Sequence, residues 1–188
     1  MRSLSHLKAA PLPPSPRYSI ACHSAAGCLA VCTLEEMGEL DNTVIIYSSD
    51  NGYFMGEHTF LDKRLAYENS MRVPMLIRYP KLIKKNTKIK EQCLNIDLAP
   101  TILDLAGLEI PLYMQGDSMV NLLKGKKENN WRKSFLFEYY LDTYWPYAGP
   151  NQTAVRTEKY KLVDSFLKND IDELYDLKLD PGEMHNVM

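Results

Sequence analysis

No stretch of this 188-residue chain stays apolar for 18 residues, so no membrane-spanning helix is expected. Neither sign of charge prevails: 22 Lys and Arg stand against 24 Asp and Glu. Without a basic excess, no nucleic-acid partner is expected. A Cys-x-x-Cys knuckle is also missing. Cys22, Cys28 and Cys32 lie close together beside His23, and Cys93 stands alone. That spacing favours unpaired structural cysteines over a zinc cluster. Pro11, Pro13, Pro14 and Pro16 interrupt any apolar leader near the start, so no signal peptide is read there and the localisation is left unknown. Internal repeats are absent. Phe and Trp are scarce, 5 and 2, whereas Tyr reaches 12. That excess suits the amphipathic edges of a core better than a sugar-facing surface.

What is present is an ordinary globular composition, 45% hydrophobic and 24% charged, in a chain long enough for one domain with a real core. Residues 1–20 are Pro- and Ser-rich and read as a tail or linker. A helix is expected from about 28 to 40, with Leu29, Thr33, Met37 and Leu40 on one side and Gly38 blurring its end. Asp41-Asn42 turns the chain into a β-branched strand over 43–48. Residues 49–72 form a long connection, and their aromatic content argues for an ordered, functional loop. A second strand covers 73–80, with Pro74 near its start. The lysine-rich stretch 81–90 reads as a solvated turn. The clearest helix covers 97–107: Asp97 suits the N-cap, Pro100 the first turn, and Leu98, Ile102 and Leu105 a core-facing stripe, with Gly107 at the end. Three strand-like runs follow, 135–139, 154–163 and 173–177, and predict a small antiparallel sheet.

The chemistry concentrates where the strand over 43–48 ends, at Ser49-Asp50-Asn51-Gly52-Tyr53. A carboxylate and an amide oxygen at the C-terminal end of a buried strand are hard donors, placed where α/β sheets commonly bind ligands. Such a pair suits Ca²⁺, and Mg²⁺ less well, over zinc or copper. Two ligands are not a complete site, because calcium takes about six or more oxygens. Asp-Asn-Gly is also an ordinary turn sequence, and that alternative stays open. Downstream, His58 and Lys63 would complement a tetrahedral oxyanion beside a cation. A loop histidine and a solvated lysine beside Asp62 are the plain alternatives.

These strings resemble the sulfatase family of the alkaline-phosphatase-like superfamily. The resemblance rests on residues 41–52, Gly56-Glu57-His58, Lys63, Arg72-Val73-Pro74 and residues 95–101. It continues through Ala154-Val155-Arg156-Thr157 with Tyr160-Lys161-Leu162, then Glu173-Leu174-Tyr175-Asp176-Leu177 and Asp180-Pro181-Gly182-Glu183. It covers about residues 33–188 and looks most like arylsulfatase-type and N-acetylglucosamine-6-sulfatase-type enzymes.

The resemblance implies an α/β fold: a partial alkaline-phosphatase-like sheet with helices, followed by a small C-terminal antiparallel sheet. It divides the chain into an atypical tail over 1–32, disordered or misjoined, the C-terminal part of the sulfatase α/β domain over 33–130, and an antiparallel subdomain over 131–188. The implied activity is metal-dependent hydrolysis of a sulfuric ester, either a sulfated sugar or an aryl sulfate. In that family a formylglycine hydrate attacks sulfur and calcium polarises the sulfate. Asp50 and Asn51 match metal ligands, Lys63 matches the sulfate-contacting lysine, and His58 matches a pocket histidine with a catalytic and substrate-binding part. Arg72 reads as structural. The family's Cys-x-Pro-Ser-Arg motif, which carries the nucleophile, is not found around any of the four cysteines. The expectation is therefore an N-terminally truncated fragment, inactive alone, with an exposed sheet edge whose partner is unknown. A periplasmic, secreted or lysosomal location is implied by the family only. Phosphate-ester or phosphonate hydrolysis, or a non-catalytic remnant binding calcium or sulfated sugar, are the alternatives. Tyr139, Tyr140, Tyr144, Trp145 and Tyr147 are candidates for stacking on a sugar, and Asn151-Gln152-Thr153 is a formal glycosylation acceptor.

Overall fold

The computed structural model describes residues 17–20, 25–140, 151–165 and 171–188. Cys22, His23, Tyr144, Trp145 and Tyr147 lie outside the described residues. The architecture is mixed α/β, as expected, with a four-stranded antiparallel sheet at the C-terminus.

The first sheet has three strands: β1 (Arg17–Ile20), β2 (Thr43–Ser48) and β5 (Met75–Arg78), in the order β1-β2-β5. β1 pairs with β2 in parallel and β5 pairs with it antiparallel, Ile46 opposite Ile77. β2 forms as expected, with Thr43, Val44 and Ile46 buried. Arg17–Ile20, by contrast, belongs to no tail: it is a strand. Four residues after a proline carry no local strand signal, and only pairing with the distant β2 defines them.

Helix α1 spans Ala25–Glu36, earlier than the expected 28–40. It stops because Gly38 takes a left-handed φ of 69°, where its N–H reaches Glu35 O and the N–H of Glu39 reaches Leu34 O. The side that carries Leu29 and Met37 faces outward, Leu29 being 70% exposed and Met37 53%. Helix spacing identifies a face but not which face is covered.

A short hairpin, β3 (Phe54–Met55) with β4 (Leu61–Asp62), and a one-turn helix α2 (Glu68–Met71) build the connection between β2 and β5. Helix α3 spans Leu98–Leu105. Its buried residues are Pro100 and Thr101, whereas Leu98, Ile102 and Leu105 are only half-buried. Asp97 is not a side-chain N-cap. Its carboxylate accepts from the Leu94 N–H at 2.7 Å and the Asp117 N–H at 2.9 Å, and Arg132 grips both of its oxygens. Helix α4 (Val120–Leu123), which no sequence signal indicated, buries Val120, Leu122 and Leu123.

The C-terminal sheet runs β6 (Ser134–Tyr139), β7 (Gln152–Thr157), β8 (Tyr160–Ser165) and β9 (Glu173–Asp176) in sequential order, every pair antiparallel. The run over 154–163 is two strands, not one. The chain reverses at Glu158-Lys159, where Thr157 Oγ1 accepts from the N–H groups of Lys159 and Tyr160. Charged residues inside a continuous β-prone run mask a two-residue turn.

This sheet is fastened to the β4–α2 segment. Lys161 of β8 is fully buried, and its ammonium pairs with Glu183 and, at 3.3 Å, with Glu68 of α2. Arg156 of β7 pairs with Glu68 at 3.2 Å, and Glu183 accepts from the Glu68 N–H at 2.6 Å. Gln152 Oε1 accepts from the Ala66 N–H at 3.1 Å. Ala66, Ala154 and Val163 then form a small apolar core, with Met71 and Phe137 packed against it. Burial alone would raise the Glu68 carboxyl, but the hydrogen bond from Arg156 and the charge of Lys161 hold it below the ordinary glutamate range. Burial pushes Glu183 the other way, up, against the pull of Lys161. Glu68 therefore contributes stability present above the ordinary glutamate range and lost as pH falls through its lowered value. Glu183 has the opposite sign: its contribution is present at low pH and lost as pH rises through its raised value.

Removing the ammonium leaves two carboxylates facing each other out of water. Lys161→Ala is expected to cost about 3–5 kcal/mol of folding stability, read from the midpoint of urea unfolding. An unchanged midpoint would show that the network does not hold the sheet to α2.

Candidate functional site

The end of β2 delivers Asp50-Asn51-Gly52 into a turn stabilised by its own side chains. Asp50 Oδ1 accepts from the Asn51 N–H at 2.9 Å, and Ser49 Oγ donates to Asn51 O at 2.8 Å. The amide of Asn51 spends its donor on Gly52 O at 2.7 Å. Among the described residues, Asp50 Oδ2 and Asn51 Oδ1 then receive no protein donor. Asn95 clamps the turn from outside, its Nδ2 donating to Ser49 O at 3.1 Å and Asp50 O at 3.0 Å.

Gly52 is required by a close approach. A Cβ built there would fall 2.0 Å from Asn69 O, and the Gly52 N–H donates to Ser70 O at 2.7 Å. Backbone thus lies directly on backbone, joining the turn to α2. From α2 the connection continues, because the buried Ser70 hydroxyl donates to the Lys63 carbonyl.

Asp50, Asn51 and Lys63 consequently line one open cavity of about 1320 Å³, with Arg64, Glu68, Arg72 and Arg156 also on its wall. Lys63 is exposed, and among the described residues its ammonium makes no hydrogen bond or ion pair. Asp62, the neighbour that could have neutralised it, pairs instead with Arg64 at 3.2 Å. A cation without a partner thus shares a cavity with two oxygens without donors.

His58 is not brought to that cavity. It lines a separate one of about 440 Å³ with Glu57, Thr59, Asn69 and Met184. Its ring stacks on Tyr67 at 4.2 Å, and Phe54 meets it edge-on at 6.2 Å. His58, Thr59 and Asp62 all adopt positive φ, at 54°, 63° and 99°. This reversal turns the hairpin tip, and His58 with it, onto the aromatic cluster. Tyr67 sits at the centre of that cluster; burial pushes its phenol up to about 12, and its hydroxyl donates to Glu173 at 3.1 Å. Arg72 is exposed on the first cavity's wall.

The donor chemistry of Asp50 and Asn51 fits a hard cation: two oxygens, one anionic, and no sulfur or imidazole beside them. They supply only part of a calcium shell. Among the described residues no group of three His, Cys, Asp or Glu side chains could complete it. The residues that assemble the site, Ser70, Asn95, Glu68, Lys161 and Glu183, were not singled out from sequence for this role. Their work lies in contacts between segments far apart in the chain, and a polar or charged residue gives no local sign of the distant partner it will meet.

Comparison with known proteins decides the family. A family model described as the C-terminal part of N-sulphoglucosamine sulphohydrolase matches residues 56–188. The chain belongs to the sulfatase family. An N-acetylglucosamine-6-O-sulfatase of Bacteroides thetaiotaomicron is 44% identical over 160 residues, covering 82% of this chain and 28% of that protein. An arylsulfatase of Volvox carteri is 37% identical, covering 84% of this chain and 28% of its own length. Among solved structures, a complex with its substrate D-glucosamine-2-N,6-O-disulfate aligns with a TM-score of 0.79 at 42% identity, over 86% of this chain and 33% of that one. A phosphonate monoester hydrolase of Agrobacterium radiobacter aligns with a TM-score of 0.73 at 28% identity, over 86% and 34%. The sulfatase chain described here therefore spans about a third or less of these relatives.

Because the Asp50 turn rests directly on α2, Gly52→Ala is expected to cost more than about 2 kcal/mol, since neither backbone can yield cheaply. Equilibrium denaturation of the variant checks this. A cost below about 0.5 kcal/mol, the range of neutral surface changes, would mean that the contact is not maintained.

Proposed function

We propose that this chain carries the Asp50–Asn51 and Lys63 portion of a sulfuric-ester hydrolase site whose substrate is a sulfated sugar. The observation behind this is the placement of Asp50, Asn51 and Lys63 on one cavity, with two oxygens and an ammonium that no described residue engages. In this reading Asp50 and Asn51 are ligands of a calcium ion. When bound, that ion would draw charge from the non-bridging oxygens of the ester. Lys63 binds a sulfate oxygen and offsets charge as the S–O bond breaks, an effect worth about 3–4 kcal/mol of barrier at comparable sites. Asn95 and Gly52 keep the two oxygens oriented. His58, seated on Tyr67, is assigned no part in this step.

The sugar substrate is supported by the glucosamine-sulfatase relative, which matches at higher identity than the arylsulfatase of Volvox carteri. A second reading, hydrolysis of a phosphonate or phosphate ester, is favoured by the fold match to the phosphonate monoester hydrolase. Both anions are tetrahedral, and a cation beside a lysine accepts either. No Cys-x-Pro-Ser-Arg sequence occurs within these 188 residues. The polypeptide on its own is therefore expected to bind without turnover.

Calorimetric titration of the chain with Ca²⁺, then with glucosamine-6-sulfate, is the test. Asp50→Ala and Asn51→Ala should each weaken Ca²⁺ binding at least about tenfold, the loss of one charged or polar contact. Lys63→Ala should leave Ca²⁺ binding intact and weaken the sulfated sugar by a similar factor. Equal Ca²⁺ affinity in all variants would refute the assignment. Tighter binding of a phosphonate than of the sulfate would favour the second reading.

A further inference from the structure

We infer that Ser70 is the positioning residue that sets Lys63 at a fixed place relative to the Asp50–Asn51 turn. This rests on the reading of Asp50, Asn51 and Lys63 as one site, and it names the residue that makes them one. Ser70 is 4% exposed and uses both of its polar ends on the two halves of that site. Its carbonyl accepts from the Gly52 N–H at 2.7 Å, and its hydroxyl donates to the Lys63 carbonyl. Beyond the β3–β4 ladder itself, no other described residue is bonded to both Gly52 and Lys63. The Ser70 N–H, in turn, donates to Tyr67 O at 3.0 Å, so the residue is held in the one-turn helix that Glu68 fastens to the C-terminal sheet.

The turn and the lysine lie on opposite sides of the hairpin formed by β3 and β4, whose tip takes positive φ at His58 and Thr59 and whose second strand takes it again at Asp62. The β3–β4 pairing closes this hairpin at Phe54–Asp62 and Met55–Leu61, and the Ser70 hydroxyl carries the closure on to its base, at Lys63. The Lys63 side chain has no partner of its own among the described residues, so the anchor at its carbonyl fixes where that side chain leaves the backbone.

Hydrogen exchange of the full chain, read by mass spectrometry, tests the link through variants of nearly equal volume. Ser70→Cys weakens the donor, and Ser70→Thr keeps it. In Ser70→Cys, exchange over residues 50–56 and 61–66 should rise together by about tenfold, the loss of one buried hydrogen bond, while residues 152–165 keep their protection. Ser70→Thr should restore both segments. A rise in one segment only, no rise in either, or an equal rise across 152–165 would overturn the proposal. Titration of the same samples with Ca²⁺ and inorganic sulfate separates the two claims. If the unmodified chain binds neither, the site reading falls, while the exchange result still decides whether Ser70 couples the segments.

Discussion

A lysine ammonium with no exposure to water, Lys161, sets the arrangement on which everything functional in this chain depends. Burying it alone would be prohibitive, so the fold must bring carboxylates to it. Glu183 arrives from the C-terminal segment and Glu68 from α2. Neither is near Lys161 in sequence. Satisfying the charge therefore forces three segments together: the C-terminal sheet, the last residues of the chain and the loop carrying the site. Arg156 adds a second cation to Glu68, and this explains how two buried carboxylates tolerate one another.

From that anchor, a short series of contacts leads to the chemistry. Glu68 begins α2, Ser70 lies within it, Gly52 rests on it, and Asp50 and Asn51 precede Gly52. At every step the contact is backbone or a short polar side chain, so little slack accumulates. Arg132 does similar work on the other flank, gripping Asp97 and Asp117 and fixing the turn that carries Asn95. Asn95 then closes on the Asp50 turn from the opposite side. The oxygens at the end of β2 are held between two charge-organised supports, while among the described residues the Lys63 ammonium makes no hydrogen bond or ion pair.

The hairpin between these supports shows how one loop can serve two places. Its base presents Lys63 to the large cavity. Its tip bends back through left-handed backbone and buries Phe54 among His58, Phe60 and Tyr67. A histidine five residues before a lysine can be on the same pocket or not. Here the sign of φ at His58 and Thr59 decides that it is not.

Much of this was legible in the chain itself. The β-branched run over 43–48, the Asp-Asn-Gly that ends it, the helix around 98–105 and the antiparallel C-terminal sheet announce themselves through local pattern, because side-chain periodicity and turn chemistry act over a few residues. The long family strings did the same for the sulfatase assignment. Arg17–Ile20 as a strand, the turn at Glu158-Lys159, the exposure of Leu29 and the separation of His58 from Lys63 did not announce themselves. Each depends on what a distant segment does: a parallel partner, a strand register, a covering surface, a reversal of the hairpin tip. Sequence by itself settled which chemical groups this protein carries and in what order. Tertiary structure alone chose which of them meet, because a buried charge can be compensated only by partners that the fold, and not the chain's order, places beside it.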